Sequence, residues 1–126
     1  MKKKTNVTRK QKISLSGLGQ TKIKFTGLED HRISLQEASA MTKTYRETHS
    51  GQTIAHFFGK QAIIDILNQS SCVGVRIYYA NDPVTKQKHL VIVGADAEQN
   101  DISNGLIAER GRPCPAYCSK PNQLNS

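Results

Sequence analysis

The sequence is short of long apolar runs and of cysteine, and both shortages limit what the chain can be. Its apolar runs extend over only a few residues, whereas a helix needs about 20 to cross a bilayer, so no membrane span is expected. The start, MKKKTNVTRKQK, lacks the apolar stretch that follows the charged end of a signal peptide. A cytoplasmic location is therefore predicted, and the 3 cysteines are expected to be reduced rather than bridged.

Acidic residues are missing from the first 28 positions, so the formal charge of +8 belongs entirely to the N-terminal end. From Glu29 onward, ten basic and ten acidic residues cancel. The unbalanced cations are Lys2, Lys3, Lys4, Arg9, Lys10, Lys12, Lys22 and Lys24. A polycation of this kind binds phosphates by releasing counterions, so nucleic acid or another polyanion is a predicted partner of residues 2–24. A solubilising tail, or a segment that folds on an acidic protein partner, is the alternative.

Recognised nucleic-acid motifs are missing as well. The chain contains no helix-turn-helix, zinc-finger or ribonucleoprotein sequence, and Phe25 is the single aromatic residue of the arm that could stack on a base. Any binding of nucleic acid by this arm is therefore expected to be insensitive to sequence.

The chain length predicts one folded domain behind the arm. A chain of 126 residues is the size of one ordinary domain, and we divide it into a basic N-terminal arm, residues 1–28, and a single domain, residues 29–126. The arm is expected to be flexible, with TKIKF as the segment that docks onto the domain. The division rests on the point at which the charge becomes balanced.

Two helices are predicted at the start of the domain. Ser34 and Glu37 fit a capping box that begins the first helix, and the second is predicted within FGKQAIIDILNQ. The expected buried stripes are Leu35, Ala38, Met41 and Tyr45 in the first helix, and Ala62, Ile63, Ile66 and Leu67 in the second.

Strands are predicted after the helices. CVGVRIYYA and HLVIVGAD are rich in β-branched residues and predict a β-hairpin with a long loop. Because both are largely apolar, they are expected to lie in the middle of a sheet rather than at its edge. A third short strand is predicted at GLIAER. The predicted fold is α+β, with two helices packed on one face of a small antiparallel sheet.

The segment GRPCPAYCSKP places two thiols near the C-terminus. A zinc site could be formed by Cys72, Cys114 and Cys118 with His56 or His89 as the fourth ligand, but the paired cysteines are three residues apart rather than the usual two. A redox pair has the same difficulty. The favoured interpretation is that the cysteines act as small apolar groups that close the tail onto the sheet.

The stretch SGQTIAHFFGKQAI contains the catalytic candidates. His56 and Lys60 would share a helix face if the helix began before Gly59, and an imidazole beside a lysine can act as a base near an anion site. No nucleophile–base–orienter series, paired carboxylates or glycine-rich loop accompanies them. An ordinary hydrogen bond at His56, with Phe57 and Phe58 in the core, is favoured over catalysis.

Four blocks, AHFFGK, GVRIYY, HLVIVGAD and PCPAYC, resemble in this order a group of small uncharacterised bacterial proteins. The resemblance covers roughly residues 34–124 and leaves out the basic arm. It implies that the body from Ser34 onward is one coherent domain, and that the histidine and cysteine stretches belong to one site. It implies no activity.

Three functions follow from these observations and remain alternatives. The favoured one is a small binding or adaptor protein that recognises a protein partner. The second is a nucleic-acid-associated factor that acts through residues 2–24. The third is a zinc- or thiol-dependent domain or enzyme that uses His56, Cys72, Cys114 and Cys118. An apolar surface patch would favour the first, a continuous basic stripe the second, and convergence on one pocket the third.

Overall fold

The computed structural model of the chain describes residues 23–126, which form helices followed by antiparallel strands. The elements, in chain order, are α1 (Leu35–Thr48), β1 (Ala55–Phe57), α2 (Lys60–Leu67), β2 (Cys72–Asn81), β3 (Lys88–Asp96), β4 (Ile107–Ala108) and β5 (Arg112–Cys114). The predicted α+β fold is confirmed. No helix within this part of the chain is long and apolar enough to cross a bilayer.

β2, β3 and β4 form one antiparallel sheet in that order, with β3 in the centre. The predicted hairpin and the strand predicted at GLIAER are therefore both present. The predicted position of the hairpin is wrong for its first strand, because β2 is an edge strand. The uniform apolar character of β3 reflects neighbours on both sides. β2 is also largely apolar, although within the described residues it has a neighbour on one side only.

β1 and β5 form a separate antiparallel pair that joins the end of the chain to its middle. Ala55 is opposite Cys114, and the Ile54 N–H donates to the Cys114 carbonyl oxygen at 2.8 Å. The sequence predicts that the cysteine-containing tail closes onto the sheet, whereas β5 pairs with β1 and not with the three-stranded sheet.

The buried core is small and centred on β3. Among the described residues its apolar members are Ile66, Ile92, Val93, Ala95 and Cys114. Three of them belong to β3, because the central strand is covered by a strand on each side and by α2, which packs against β2 and β3. Ile66 is the α2 side chain that enters this core.

The two helices begin as predicted but bury less than predicted. The Ser34 Oγ accepts a hydrogen bond from the Glu37 N–H at 3.0 Å, which is the serine half of the expected capping box. However, α1 contains no buried residue, and Leu35, Met41 and Leu67 are exposed. The predicted stripes are wrong at these positions, because helical spacing identifies an apolar face without showing that another element covers it.

Residues 23–27 lie against the end of the three-stranded sheet. The Phe25 N–H donates to the Ala97 carbonyl oxygen at 2.9 Å, and Lys24 forms an ion pair with Glu98. Gly27 has a φ of +82°, and a Cβ at this position would lie 2.7 Å from the Val73 carbonyl oxygen. The structure therefore holds the last residues of the predicted arm, including TKIKF from Ile23 onward, against the domain.

Candidate functional site

The three cysteines occupy two different environments. Cys114 and Cys118 form a disulfide with a Cα–Cα distance of 4.8 Å, contrary to the reduced state expected from the sequence. The Cys72 thiol is free and donates to the Gly74 carbonyl oxygen at 3.1 Å. Zinc is bound by thiolates, so sulfurs joined in a disulfide are not available to it.

No group of three or more His, Cys, Asp or Glu side chains within residues 23–126 is arranged to hold a metal ion. The candidate zinc ligands Cys72, Cys114, Cys118 and His56 are thus not assembled as a set. Metal binding or thiol chemistry at Cys114 and Cys118 would first require reduction of their disulfide.

The catalytic candidates His56 and Lys60 are on different elements. α2 begins at Lys60 after the N-cap Gly59, and His56 belongs to β1, so the helical spacing that would place them on one face does not apply. Phe57 is exposed and not in the core, while Phe58 packs against Gly111, where a Cβ would lie 2.7 Å from its ring. The prediction for Phe57 is therefore wrong.

His89 forms a pair with Glu109 that the sequence analysis did not identify. Its Nδ1 is hydrogen-bonded to Glu109 Oε2, and its ring centroid is 6.2 Å from that of His56. A carboxylate on Nδ1 fixes the orientation of the ring and leaves Nε2 available. Within the described residues, no hydroxyl or thiol is hydrogen-bonded to either histidine of this cluster, so a nucleophile–base arrangement is not formed. The two residues are 20 positions apart, and only the β3–β4 pairing brings them together.

Arg76 and Tyr78 project from β2 and both donate to Asp101. These bonds, with that from Tyr78 the stronger influence, hold the pKa of Asp101 below its ordinary value. The bond to Asp101 in turn raises the pKa of Tyr78. Arg76 also donates to the Gln99 carbonyl oxygen at 3.2 Å. The single charged side chain of β2 is therefore bonded within the domain through its Nη1.

Within residues 23–126, the outer edge of β2 presents backbone groups that have no partner. The Gly94 carbonyl oxygen accepts from the Ile102 N–H at 2.8 Å, so the polar groups of Gly94 point away from β2. Gly94 is opposite Val75. In an antiparallel pair, opposite residues alternate between those that exchange hydrogen bonds and those that do not. Val75, Ile77 and Tyr79 consequently direct their N–H and C=O groups outward, and none of these N–H groups has a backbone partner elsewhere in the described chain.

The side chains of the same three residues are exposed. Val75 is 38%, Ile77 49% and Tyr79 86% accessible to solvent. They lie on one face of β2, because side chains alternate between faces along a strand. We call these three residues the open edge. It combines outward hydrogen-bonding groups with an apolar surface on one stretch of strand.

A groove adjoins the open edge at its N-terminal end. It has a volume of about 530 Å³ and lies between the segment that contains Phe25 and Gly27 and the start of β2, including Val73 and Val75. Gly27 approaches the Val73 carbonyl oxygen and so covers the edge at that residue. The open edge therefore begins after Val73.

The irregularity between Cys72 and Gly74 and the cover by Gly27 protect only the start of β2, and the rest of its edge lacks the sequence features that usually prevent pairing. Exposed edges are commonly short, or are protected by lysine, proline or inward-pointing charge. β2 is 10 residues long, and its sequence, CVGVRIYYAN, contains no lysine or proline. The apolar residues of β2 were predicted to lie in the middle of the sheet. An apolar pattern predicts a strand, but it does not indicate how many neighbouring strands pair with it.

No protein-family model, curated protein or solved structure matches this chain. The resemblance of its sequence blocks to small bacterial proteins stays a prediction.

Proposed function

We propose that the chain is a small protein-binding module, and that the open edge of β2 is the surface that recognises the partner. The observation that carries this proposal is the coincidence of outward backbone groups and exposed apolar side chains at Val75, Ile77 and Tyr79. Partners that bind by β-strand addition use this combination, with main-chain hydrogen bonds for affinity and alternate side chains for specificity.

The charge of the same strand supports a protein partner over a polyanion. Arg76 is the one cation of β2 and is bonded to Asp101, so β2 does not extend the basic character of the N-terminal arm. Nonspecific binding of a polyanion depends on lysine or arginine side chains that neutralise its phosphates. The open edge instead offers backbone amides and carbonyls between aliphatic and aromatic side chains.

The test is binding of extended peptides to the full chain. Peptides selected from a random library on the wild-type protein should include sequences of alternating apolar residues. On binding, they should slow hydrogen exchange at the amides of Val75, Ile77 and Tyr79, because these amides would gain acceptors.

A matched pair of variants distinguishes peptide binding at the open edge from nonspecific hydrophobic binding elsewhere on the surface. Ile77→Pro removes one outward N–H without removing a bond to β3, and should abolish peptide binding. Val84→Ala alters an exposed apolar residue of the β2–β3 loop, outside the open edge, and should leave binding unchanged. If selected peptides bound the Ile77→Pro protein with wild-type affinity, or protected none of the three amides, the proposal would be wrong.

Polyanion binding through the N-terminal cations is a second candidate, favoured by the absence of acids from the first 28 positions. Seven of the eight cations lie outside the described residues, and the eighth, Lys24, is paired with Glu98. This activity would add to edge recognition and not replace it.

A further inference from the structure

We infer that the partner of the open edge is a second copy of this chain, bound by antiparallel pairing of β2 with β2 of the other copy about a two-fold axis at Ile77. This inference rests on the proposed function, since it names the partner of the same surface. It follows from the order of residues along β2 and from the position of Gly27.

When the strand direction is reversed, the open edge keeps the same kind of residue at each position, with Ile77 in the centre and an apolar side chain on either side. Pairing about Ile77 places Ile77 opposite the same residue of the second copy, and Val75 opposite Tyr79. Every outward residue then faces another outward residue, which antiparallel hydrogen bonding requires. The contacts are aliphatic with aliphatic and aliphatic with aromatic, the kinds of cross-strand pair that stabilise sheets. A symmetric homodimer needs such a self-complementary surface.

Neighbouring registers fit less well. Moving the axis by one residue toward Val75 would set Arg76 opposite its own copy, and it would require Val73, where Gly27 already covers the edge. Moving the axis the other way would set Val75 opposite Asn81, which is a polar residue. The register at Ile77 gives about six interchain hydrogen bonds and juxtaposes no like charges.

Pairing in this register joins the three-stranded sheet of each copy into one continuous sheet. It also removes the long unprotected edge, because each copy supplies the neighbour that the other lacks. The exposed faces of Val75, Ile77 and Tyr79 become adjacent across the axis, so the apolar surface that one copy exposes is partly covered by the other.

The test uses charge at the two-fold axis. The wild-type full chain should form dimers in sedimentation equilibrium over about 1 μM to about 1 mM. Ile77→Lys and Ile77→Glu each place two like charges opposite one another and should weaken the dimer at least about a hundredfold. An equimolar mixture of the two variants should recover heterodimers, because the axis then pairs Lys with Glu.

Val84→Lys is the matched control, since Val84 is an exposed apolar residue off the edge, with 85% accessibility. It should dimerise as the wild type does. Urea unfolding of each variant shows whether it is folded, and the recovery of heterodimers by mixing two variants that are separately monomeric excludes misfolding as the cause.

The outcomes separate this inference from the proposed function. A wild-type chain that stays monomeric at about 1 mM, yet binds extended peptides at the three edge amides, would overturn the second copy as partner and leave protein binding intact. A dimer unaffected by Ile77→Lys would also overturn it. A monomer that binds no peptide would overturn both.

Discussion

Proline substitutions at two adjacent residues of β2 test the alternation on which the open edge depends. The structure assigns the Ile77 N–H to the outside of the sheet and the Tyr78 N–H to the bond with β3, where Tyr78 is opposite Val91. Proline removes the N–H at either position and fixes φ near −65°. Each proline variant is compared with the alanine variant of the same residue, so that loss of the side chain cancels.

The expected costs differ because only one of the two prolines breaks the sheet. Tyr78→Pro loses a backbone bond with a net value of about 1 kcal/mol and leaves the Val91 carbonyl without its partner, at about 1–3 kcal/mol more. Relative to Tyr78→Ala, the free energy of unfolding should fall by about 2–4 kcal/mol. Ile77→Pro breaks no bond within one copy, and relative to Ile77→Ala it should cost less than about 1 kcal/mol.

Urea unfolding at low protein concentration measures both differences, because dissociation of any dimer then precedes unfolding. The dependence of the unfolding free energy on urea should remain similar among the four variants, so that the midpoints report stability. A larger cost at Ile77 would show that the alternation is reversed, and equal costs would show that the two N–H groups are not distinguished. Either result would remove the basis for the open edge.

Three further predictions concern other parts of the chain. The pKa of Asp101 is lowered from its ordinary value of 3.8, so ionised Asp101 should stabilise the fold above pH 3.8. This contribution should be lost as the pH falls through the lowered pKa. In urea unfolding at a series of pH values, Asp101→Asn should therefore show a smaller loss of stability at acid pH than the wild type. Cys118→Ser removes a disulfide with a sequence separation of 4, so the free energy of unfolding should fall by about 2 kcal/mol. In thermal unfolding, the wild type with dithiothreitol should have the same midpoint as the variant without it. Deletion of residues 2–22 should abolish binding to double-stranded DNA, whose log–log salt dependence in the full chain should have a slope of about −6; unchanged binding in the truncated protein would exclude the N-terminal cations as its cause.

Local features of the fold could be predicted from the sequence because local interactions produce them. The Ser34 cap depends on a side chain and an amide three positions apart, and the hairpin of β2 and β3 depends on two β-rich stretches separated by a turn-rich one. The strand at GLIAER is adjacent to β3 in the chain as well as in the sheet. In each case the residues that determine the element are near one another in the sequence.

Features that depend on distant residues could not be predicted in this way. The pairing of β1 with β5 joins Ala55 to Cys114, and the bond between His89 and Glu109 depends on how β3 and β4 pair. The prediction of buried residues in α1 was wrong for the same reason. Leu35 and Met41 have helical spacing, but both are exposed in the described structure. Periodicity shows which face of an element is apolar, and the covering element is specified elsewhere in the chain.

The incorrect position predicted for β2 and the proposed function have one physical origin. The composition of β2 is that of an interior strand, with exposed apolar side chains on one face at Val75, Ile77 and Tyr79, and one internally bonded charge at Arg76. Edge strands of monomeric proteins normally carry protection against pairing, whereas β2 has the sequence of a strand with a neighbour on each side. Within residues 23–126, one copy supplies only β3 as a neighbour of β2. This arrangement supports the proposal that another chain supplies the second neighbour, and the self-complementary order of the open edge favours a second copy of β2.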